Sequence, residues 1–289
     1  GYVSGPHSLK ESINSGKLWK SVEREGLFMN LKKLFVLLAA CVFATFALAG
    51  CGGSNSASSG SGSSAKVLKV GSSIDFAPFE FQDEGQKDYQ GFDMDLIRAI
   101  GKEMGYEVEV QNIGFDGLIP ALQAKNIDVI ISGMTINDER KENVSFSDPY
   151  YQSGLTMVVR SDEQAIKSFQ DLKGHKVAVQ IGTTSAEAVK KLGGVEVKEL
   201  NTPADCFMEL KGHGVDAVVN DRPVNDYYIT KSGETGVKAL EEKLTAEDYG
   251  IAMAKDNTEL QSKINEALKK LKENGEYDKI YAKWFGGQK

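Results

Sequence analysis

The segment from Asp128 to Tyr151 places the strongest constraint on the fold. It opens with the short apolar run 129–131, which predicts a buried strand of a parallel sheet, since such strands are covered on both faces. Small residues, Ser132 and Gly133, end the run and leave backbone groups accessible. Ligands of open α/β sheets lie beyond the carboxyl ends of the strands, so this strand end is a candidate binding site.

Two candidate ligand groups follow this strand end, the hydroxyl of Thr135 and the guanidinium of Arg140. A guanidinium can grip a carboxylate through two parallel hydrogen bonds. The alternative is that Arg140 is a solvated surface residue, as most arginines are. Together with the small residues before them, the two groups predict a cradle for a small zwitterion.

The order of apolar patterns predicts two α/β units. Strands at 67–73, 106–110 and 129–131 alternate with helical patterns, which indicates a parallel sheet with crossover helices. The pattern then restarts, with strands predicted at 155–159, 176–180, 195–200 and 216–220. A strand at 249–254 returns to the first unit, and an amphipathic helix ending at 274–275 closes the chain. Two units joined by two crossings predict two lobes with a cleft.

Charge and cysteine content exclude several classes of protein. The 289 residues hold 34 basic and 41 acidic side chains. Residues 1–50 carry six Lys/Arg and three Asp/Glu, so the remainder carries 28 against 38, a net charge of −10. A nucleic-acid binder would show a basic face instead. The three cysteines and three histidines have no zinc-ligand spacing, so no metal or cofactor is expected.

The first 65 residues have the pattern of an exported lipoprotein. Residues 1–28 contain no methionine and are interpreted as an upstream or non-native extension, followed by a signal peptide at 29–50. The segment 48–51 matches the bacterial lipobox, which implies cleavage before Cys51 and lipidation of that residue. The alternative for Cys51 is an unpaired cysteine in an apolar site. Residues 51–65 then form a flexible tether from the membrane.

The string DVIISGMTINDERKENVSFSDPYY resembles the signature of bacterial extracellular solute-binding proteins for polar amino acids, family 3, which are the substrate-capture subunits of ABC importers. The resemblance runs from about Val67 to Phe285. It implies a two-lobed α/β fold of the type II periplasmic-binding-protein class, each lobe a mostly parallel sheet flanked by helices. The implied lobe 1 is 66–149 plus 250–289, lobe 2 is 155–244, and the hinge segments are 150–154 and 245–249.

The resemblance also implies roles for residues that would hold an α-amino acid. Arg140, Thr135 and Thr184 match positions that contact the α-carboxylate, and Thr184 lies in a strand-to-helix turn suited to anions. Asp221 matches the acid that binds the ammonium group, with help from the Ser132 and Gly133 carbonyls. The alternatives are a simple helix cap at Thr184 and an ordinary loop aspartate at Asp221.

Side-chain selection would come from the residues around the far end of the ligand. Phe76 and Phe115 match flanking aromatic positions, although both could be ordinary core residues, and Gln180 matches a specificity position. Ser73 stands where many relatives carry an aspartate. Asp75, two residues on, could compensate for it or could be exposed. Glutamine and arginine are therefore expected about equally.

The expected protein is a monomeric, lipid-anchored, extracytoplasmic binding protein that closes over a polar L-amino acid and delivers it to a membrane permease. It is not expected to be an enzyme. One alternative is a cyclohexadienyl (prephenate/arogenate) dehydratase-like enzyme, which shares this fold and adds a catalytic acid. The sequence has no unexplained glutamate at a matched cleft position, but it does not exclude one. The other is a sensory amino-acid-binding module, for which no signalling segment follows Lys289.

Overall fold

The computed structural model describes residues 65–286, so the predicted extension, signal peptide, Cys51 and nearly all of the tether lie outside the described residues. Within the described range, none of the helices combines the length and the apolar character needed to cross a membrane.

The strands of the described chain are numbered in chain order. They are β1 (Lys66–Ser72), β2 (Tyr106–Asn112), β3 (Val129–Ile130), β4 (Val144–Phe146), β5 (Tyr151–Arg160), β6 (Lys176–Gln180), β7 (Glu196–Leu200), β8 (Ala217–Asp221), β9 (Val237–Ala239), β10 (Ala246–Tyr249) and β11 (Ala252–Ala254).

The α-helices are numbered in the same way. They are α1 (Phe92–Met104), α2 (Leu118–Gln123), α3 (Asp138–Lys141), α4 (Thr184–Leu192), α5 (Pro203–Lys211), α6 (Arg222–Ser232), α7 (Thr258–Glu273) and α8 (Glu276–Phe285). Two short 3-10 turns, Phe115–Gly117 and Phe169–Leu172, complete the regular structure of the described residues.

The strands form two separate sheets. The first has the order β2-β1-β3-β11-β4, with β1 parallel to β2 and β3, and with β11 antiparallel to its two neighbours. The second has the order β10-β5-β8-β6-β7, with β9 also paired to β5. In this sheet β6 runs parallel to β7 and β8, while β5 is antiparallel to β8. The predicted two-lobed α/β fold class is confirmed, but each sheet is mixed rather than mostly parallel, because β11 in the first sheet and β5 in the second run antiparallel to their neighbours.

Each sheet has an apolar core on both faces, which is why its central strands read as continuous apolar runs. In the first sheet, Val129 belongs to one core and Ile130 to the other, and both are fully buried. In the second sheet, Met157 belongs to the core on one face and Val158 to the core on the other. Packing on two faces holds the carboxyl ends of these strands in place, where the candidate site lies.

The chain passes between the sheets twice, and the two connecting segments pair with each other. The first residues of β5 pair antiparallel with β10, from Ala246↔Gly154 to Tyr249↔Tyr151. A Cβ atom on Gly154 would lie 2.6 Å from the carbonyl oxygen of Thr245, so the close approach of the strands requires glycine there.

The structure adds β4, α3, α6 and β9 to the predicted elements, and it differs from the prediction at two further places. The strand predicted at 249–254 is wrong as a single element, since β10 pairs within the second sheet and β11 within the first. The strand breaks because the chain exchanges pairing partners at this crossing. The chain also continues beyond the predicted helix end at 274–275 into α8, whose residues Tyr281 and Phe285 pack against Phe92 in the core of the first sheet.

Candidate functional site

A cavity lies at the carboxyl ends of strands from both sheets. Ten of the eleven residues predicted for the site line it, and Ser73 is the exception. Glu80 and Thr183 also line it and were not predicted. The full lining is Asp75, Phe76, Glu80, Phe115, Ser132, Gly133, Thr135, Arg140, Gln180, Thr183, Thr184 and Asp221.

Arg140 is buried rather than solvated. It lies in α3, a short helix whose N-cap residue Asn137 accepts a hydrogen bond from the Arg140 amide at 2.8 Å. Its guanidinium donates to the carbonyl oxygen of Thr135 at 2.8 Å and to that of Gly182 at 3.2 Å, and it lies 5.4 Å from the Phe115 ring centre. The side chain therefore crosses from the first lobe to the second.

The charge of this guanidinium is not neutralised by an ion pair within residues 65–286. Burial lowers the pKa of Arg140, and the carboxylates of Glu187, Glu247 and Asp221 counteract that effect from a distance. A buried charge is stable only when an opposite charge or several hydrogen bonds compensate it. The position is therefore suited to receive an anionic group.

The turn between β6 and α4 brings a helix N-terminus to the cavity. Thr183 is the N-cap residue: its hydroxyl accepts from the Ala186 amide at 3.2 Å and donates to the Gln180 carbonyl at 2.7 Å. The capping role considered for Thr184 thus belongs to its neighbour. Thr184 is the first residue of the helix and lines the cavity, where free amide groups favour an anion.

Asp221 ends β8 and is buried in the cavity wall. Its Oδ2 atom accepts hydrogen bonds from the Tyr249 hydroxyl and, at 3.1 Å, from the Ser153 hydroxyl. Burial raises the pKa of Asp221 to about 7, Glu247 adds to the shift, and the two hydrogen bonds oppose it. A cation in the cavity would stabilise its ionised form.

Asp75, in the cavity lining, links the two lobes by hydrogen bonding. Its Oδ2 atom accepts from the Ser73 hydroxyl at 3.0 Å and from the Gln180 amide at 3.1 Å. Ser73 does not line the cavity itself and contributes through its hydrogen bond to Asp75. The Oδ1 atom of Asp75 is buried without a partner, and burial raises the pKa of this carboxyl to about 6. Asp75 therefore lines the cavity and is not an exposed surface residue.

The aromatic residues serve packing and lining at once. Phe76 belongs to the core of the first sheet and also lines the cavity, while Phe115 is half-buried. Gly133 has a φ of 52°, and a Cβ atom there would lie 2.9 Å from the Phe76 ring. Both the backbone conformation and the close ring contact require glycine at the strand end.

Glu80 is the main feature that the sequence analysis missed. It is fully buried, and its Oε1 atom accepts from the Ser132 hydroxyl at 3.1 Å. Asp93 lies beside it and accepts from the Gly133 amide and from the Tyr150 hydroxyl, both at 2.8 Å. Burial and the neighbouring Asp93 raise the pKa of Glu80 well above its usual range, so Glu80 is the protonated member of the pair.

Glu80 is thus a glutamate of the cleft that the sequence analysis did not single out. A signal was present in the sequence, because Glu80 interrupts the otherwise apolar run 76–81. A charged residue inside such a run is rarely buried without a partner. The partners, Ser132 and Asp93, come from distant segments and gave no local sign of the contact.

Two α/β lobes around one polar cavity, lined by a buried arginine and a buried aspartate, define a two-lobed ligand-binding protein. Residues 68–287 match the bacterial extracellular solute-binding proteins, family 3. The chain belongs to that family.

Two relatives illustrate the similarity. The arginine-binding extracellular protein ArtP of Bacillus subtilis (strain 168) is 40% identical over 262 residues, which cover 89% of this chain and 99% of ArtP. An ancestral arginine-binding protein, solved bound to arginine and in another structure bound to glutamine, is 49% and 50% identical. Both structures have a TM-score of 0.74 and cover 76% of this chain and 98% of theirs.

A third solved relative bears on the enzyme alternative. The ancestral amino acid-binding protein AncCDT-1, a precursor of cyclohexadienyl dehydratase, is 42% identical with a TM-score of 0.71. The match covers 76% of this chain and 95% of that protein. The relatives of this chain are thus solute-binding proteins, one of them the forerunner of an enzyme.

Proposed function

We propose that this protein is the substrate-binding subunit of an ABC importer and that it captures a polar L-amino acid, arginine before glutamine. The observation that carries the proposal is the buried guanidinium of Arg140, which has no ion-pair partner within residues 65–286 and lines the same cavity as the buried Asp221. An α-amino acid supplies one anion and one cation on adjacent atoms, and would satisfy both groups.

The α-carboxylate of the ligand is assigned to Arg140, with Thr135 from the first lobe and Thr184 from the second. The charge-assisted hydrogen bonds of a guanidinium to a carboxylate are about twice as strong as neutral ones. The α-ammonium is assigned to Asp221, with the carbonyl groups of Ser132 and Gly133. A charged pair enclosed in this way is favourable because both ends of the ligand are compensated.

The ligand side chain is assigned to the part of the cavity formed by Asp75, Gln180, Phe76 and Phe115. Ser73 donates a hydrogen bond to Asp75 there. Gln180 offers a neutral amide, which suits glutamine. The buried, unpartnered Oδ1 atom of Asp75 needs a donor, and a guanidinium supplies several. Two aromatic rings also attract a flat cation, by roughly 0.5–2 kcal/mol. These groups support arginine first, with lysine and histidine behind glutamine.

Capture is assigned to hinge closure of lobe 1, 66–149 plus 250–289, onto lobe 2, 155–244. The paired segments 150–154 and 245–249 are the proposed hinge, because few dihedral angles in two adjacent strands need to change. Hydrogen bonds from Arg140 to Gly182 and from Gln180 to Asp75 already join the lobes. Bound amino acid would add its own contacts to both lobes and so favour the closed form.

Anchoring and assembly are also proposed. Cleavage before Cys51 and lipidation of its sulfur would hold the protein at the outer face of the cell membrane, since each buried CH₂ of a lipid contributes about 0.8 kcal/mol. The protein would act there as a monomer, bound only transiently to the permease.

We infer that the protein is not an enzyme, although Glu80 gives the dehydratase alternative a specific basis. The Glu80 carboxyl lines the cavity, and its raised pKa keeps it protonated. A general acid must carry such a proton. Glu80 is, however, hydrogen-bonded to Ser132 and lies against Asp93, which supports a structural role. Incubation with prephenate and with arogenate, followed by product analysis, tests the alternative, and formation of either aromatic product would establish it.

The decisive test of the binding function is titration calorimetry of the full chain against the twenty common L-amino acids and D-arginine. We expect L-arginine to bind most tightly, L-glutamine next, and D-arginine far more weakly, since inversion at Cα misplaces either the carboxylate or the ammonium group. Tighter binding of glutamate or leucine would refute the side-chain assignment, and no binding of any amino acid would refute the function.

A further inference from the structure

The carboxylate of Asp221 accepts hydrogen bonds from side chains of both crossover strands, which are β5 and β10, where the chain passes between the two sheets. Tyr249 of β10 donates from its hydroxyl to Oδ2, and Ser153 of β5 donates to the same oxygen at 3.1 Å. The Tyr249 hydroxyl also lies 3.1 Å from the Ser153 hydroxyl. Both bonds use Oδ2 and neither uses Oδ1, and Asp221 lines the cavity.

Tyr249 also contacts the part of the site that belongs to the first sheet. Its backbone forms an antiparallel bridge with Thr135, and a Cβ atom on Gly133 would lie 3.4 Å from its ring. The ring is fully buried and packs against Phe79 and Tyr151. One residue of the second crossover thus touches the strand end of the first sheet and the acid of the second.

We propose that Tyr249 is a positioning residue that fixes the orientation of Asp221, with Ser153 as a second donor, so that Oδ1 points at the ammonium group of the ligand. The inference rests on the proposed amino-acid-binding function and deepens it. Since both donors lie on the crossover strands, a rotation of those strands changes the aim of Asp221. Affinity for the ammonium group is therefore tied to the closure of the lobes.

The charges around Asp221 make this role measurable. The groups that act on it are Tyr249 and Glu247 on β10, Ser153 on β5, and Arg140 from the first lobe. Tyr151 on β5 is close enough for Asp221 to raise its pKa. Burial keeps the pKa of Tyr249 itself well above the usual range, so that its hydroxyl stays a donor at neutral pH.

A ligand ammonium group binds the ionised form of Asp221. Affinity is therefore constant above the pKa of this carboxyl, which is about 7, and falls about tenfold per pH unit below it. The hydrogen bond from Tyr249 stabilises the ionised form. Its loss raises the pKa further and moves the bend in the affinity profile to higher pH.

The test compares wild type with Tyr249→Phe, which keeps the ring and removes only the hydroxyl. Calorimetric titration with L-arginine and with L-glutamine is repeated from about pH 5.5 to about pH 8. Loss of one hydrogen bond to a charged group should move the bend upward by about one pH unit. The ratio of variant to wild-type Kd should then grow about fivefold between pH 8 and pH 6.

Two further variants keep the test decisive. Tyr277→Phe removes a hydroxyl that donates to the Tyr150 carbonyl oxygen in the same aromatic cluster, away from Asp221, and should keep the wild-type profile. Ser153→Ala removes the second donor to Oδ2, should shift the bend in the same direction, and replaces Tyr249→Phe if circular dichroism shows that variant to be unfolded.

A loss that is equal at every pH, or an unshifted bend, would overturn the positioning role. Failure of the wild-type protein to bind any amino acid refutes the proposed function instead, before any variant is compared.

Discussion

Replacing Arg140 with alanine removes a buried cation whose contacts within the protein are two backbone carbonyl groups and the face of the Phe115 ring. In the proposed complex the same guanidinium pairs with the ligand carboxylate. Removing one partner of a buried pair costs about 3–5 kcal/mol, because the other charge is left uncompensated. We therefore expect the Kd for L-arginine to rise at least about a hundredfold.

The empty protein should respond differently. Arg140→Ala loses two hydrogen bonds but also removes an unpaired buried charge, and these effects oppose each other. The free energy of unfolding without ligand should change by less than about 2 kcal/mol. Denaturant unfolding with and without saturating L-arginine measures both quantities, since the ligand should stabilise the wild type far more than the variant.

Three comparisons make the test specific. Arg98→Ala removes an exposed guanidinium that donates to the Tyr89 carbonyl oxygen, and should leave affinity unchanged. Arg140→Lys keeps the charge and loses the two-pronged geometry, so its affinity should lie between those of wild type and alanine. Agmatine, which is arginine without its carboxylate, should bind wild type and Arg140→Ala equally weakly. A Kd of Arg140→Ala within about threefold of wild type would remove Arg140 from the site.

Three other predictions test separate parts of the proposal. Asp75→Asn should weaken L-arginine binding at least about tenfold and barely change L-glutamine binding; equal effects on both would contradict the side-chain assignment. The raised pKa values of Asp75 and Asp221, about 6 and about 7, mean that the folded empty protein binds more protons than the unfolded chain between roughly pH 4 and those values. Their contribution to stability should therefore fall as pH rises through that window, and denaturant unfolding of Asp221→Asn should show a weaker fall than wild type. Cys51→Ser should release the protein into the medium, as measured by fractionation, and a variant still bound to membranes would indicate another anchor.

The lining of the cavity was largely predictable because the family resemblance assigned most of its residues, and several of them also follow the carboxyl ends of strands. Thr135 lies five residues beyond the end of β3, and Arg140 lies in α3, which follows it. Gln180 ends β6 and Asp221 ends β8. Apolar runs mark those strands in the sequence, and a parallel arrangement brings their ends together. Local pattern and sheet geometry therefore agree at these positions.

Contacts that depend on partners far along the chain were not predictable in this way. The burial of Glu80 depends on Ser132, which is 52 residues away. The break between β10 and β11 depends on which sheet offers a free strand edge, and no local signal carries that information. Helix α8 was missed because the Asn274-Gly275 pair predicts the end of a helix. The chain nevertheless forms another helix after this pair, and the aromatic face of α8 covers Phe92.

The two crossovers carry a common arrangement that links these points. Tyr150, beside the first crossover, donates to Asp93, which in turn accepts from the backbone amide of Gly133 at the strand end. Tyr249, on the second crossover, donates to Asp221. Each lobe thus has a buried carboxylate held by a tyrosine where the chain leaves one sheet for the other. Movement of the crossovers would therefore act on both sides of the cavity at once. The same side chains, Tyr150 and Tyr249, would take part in ligand binding and in closure of the lobes.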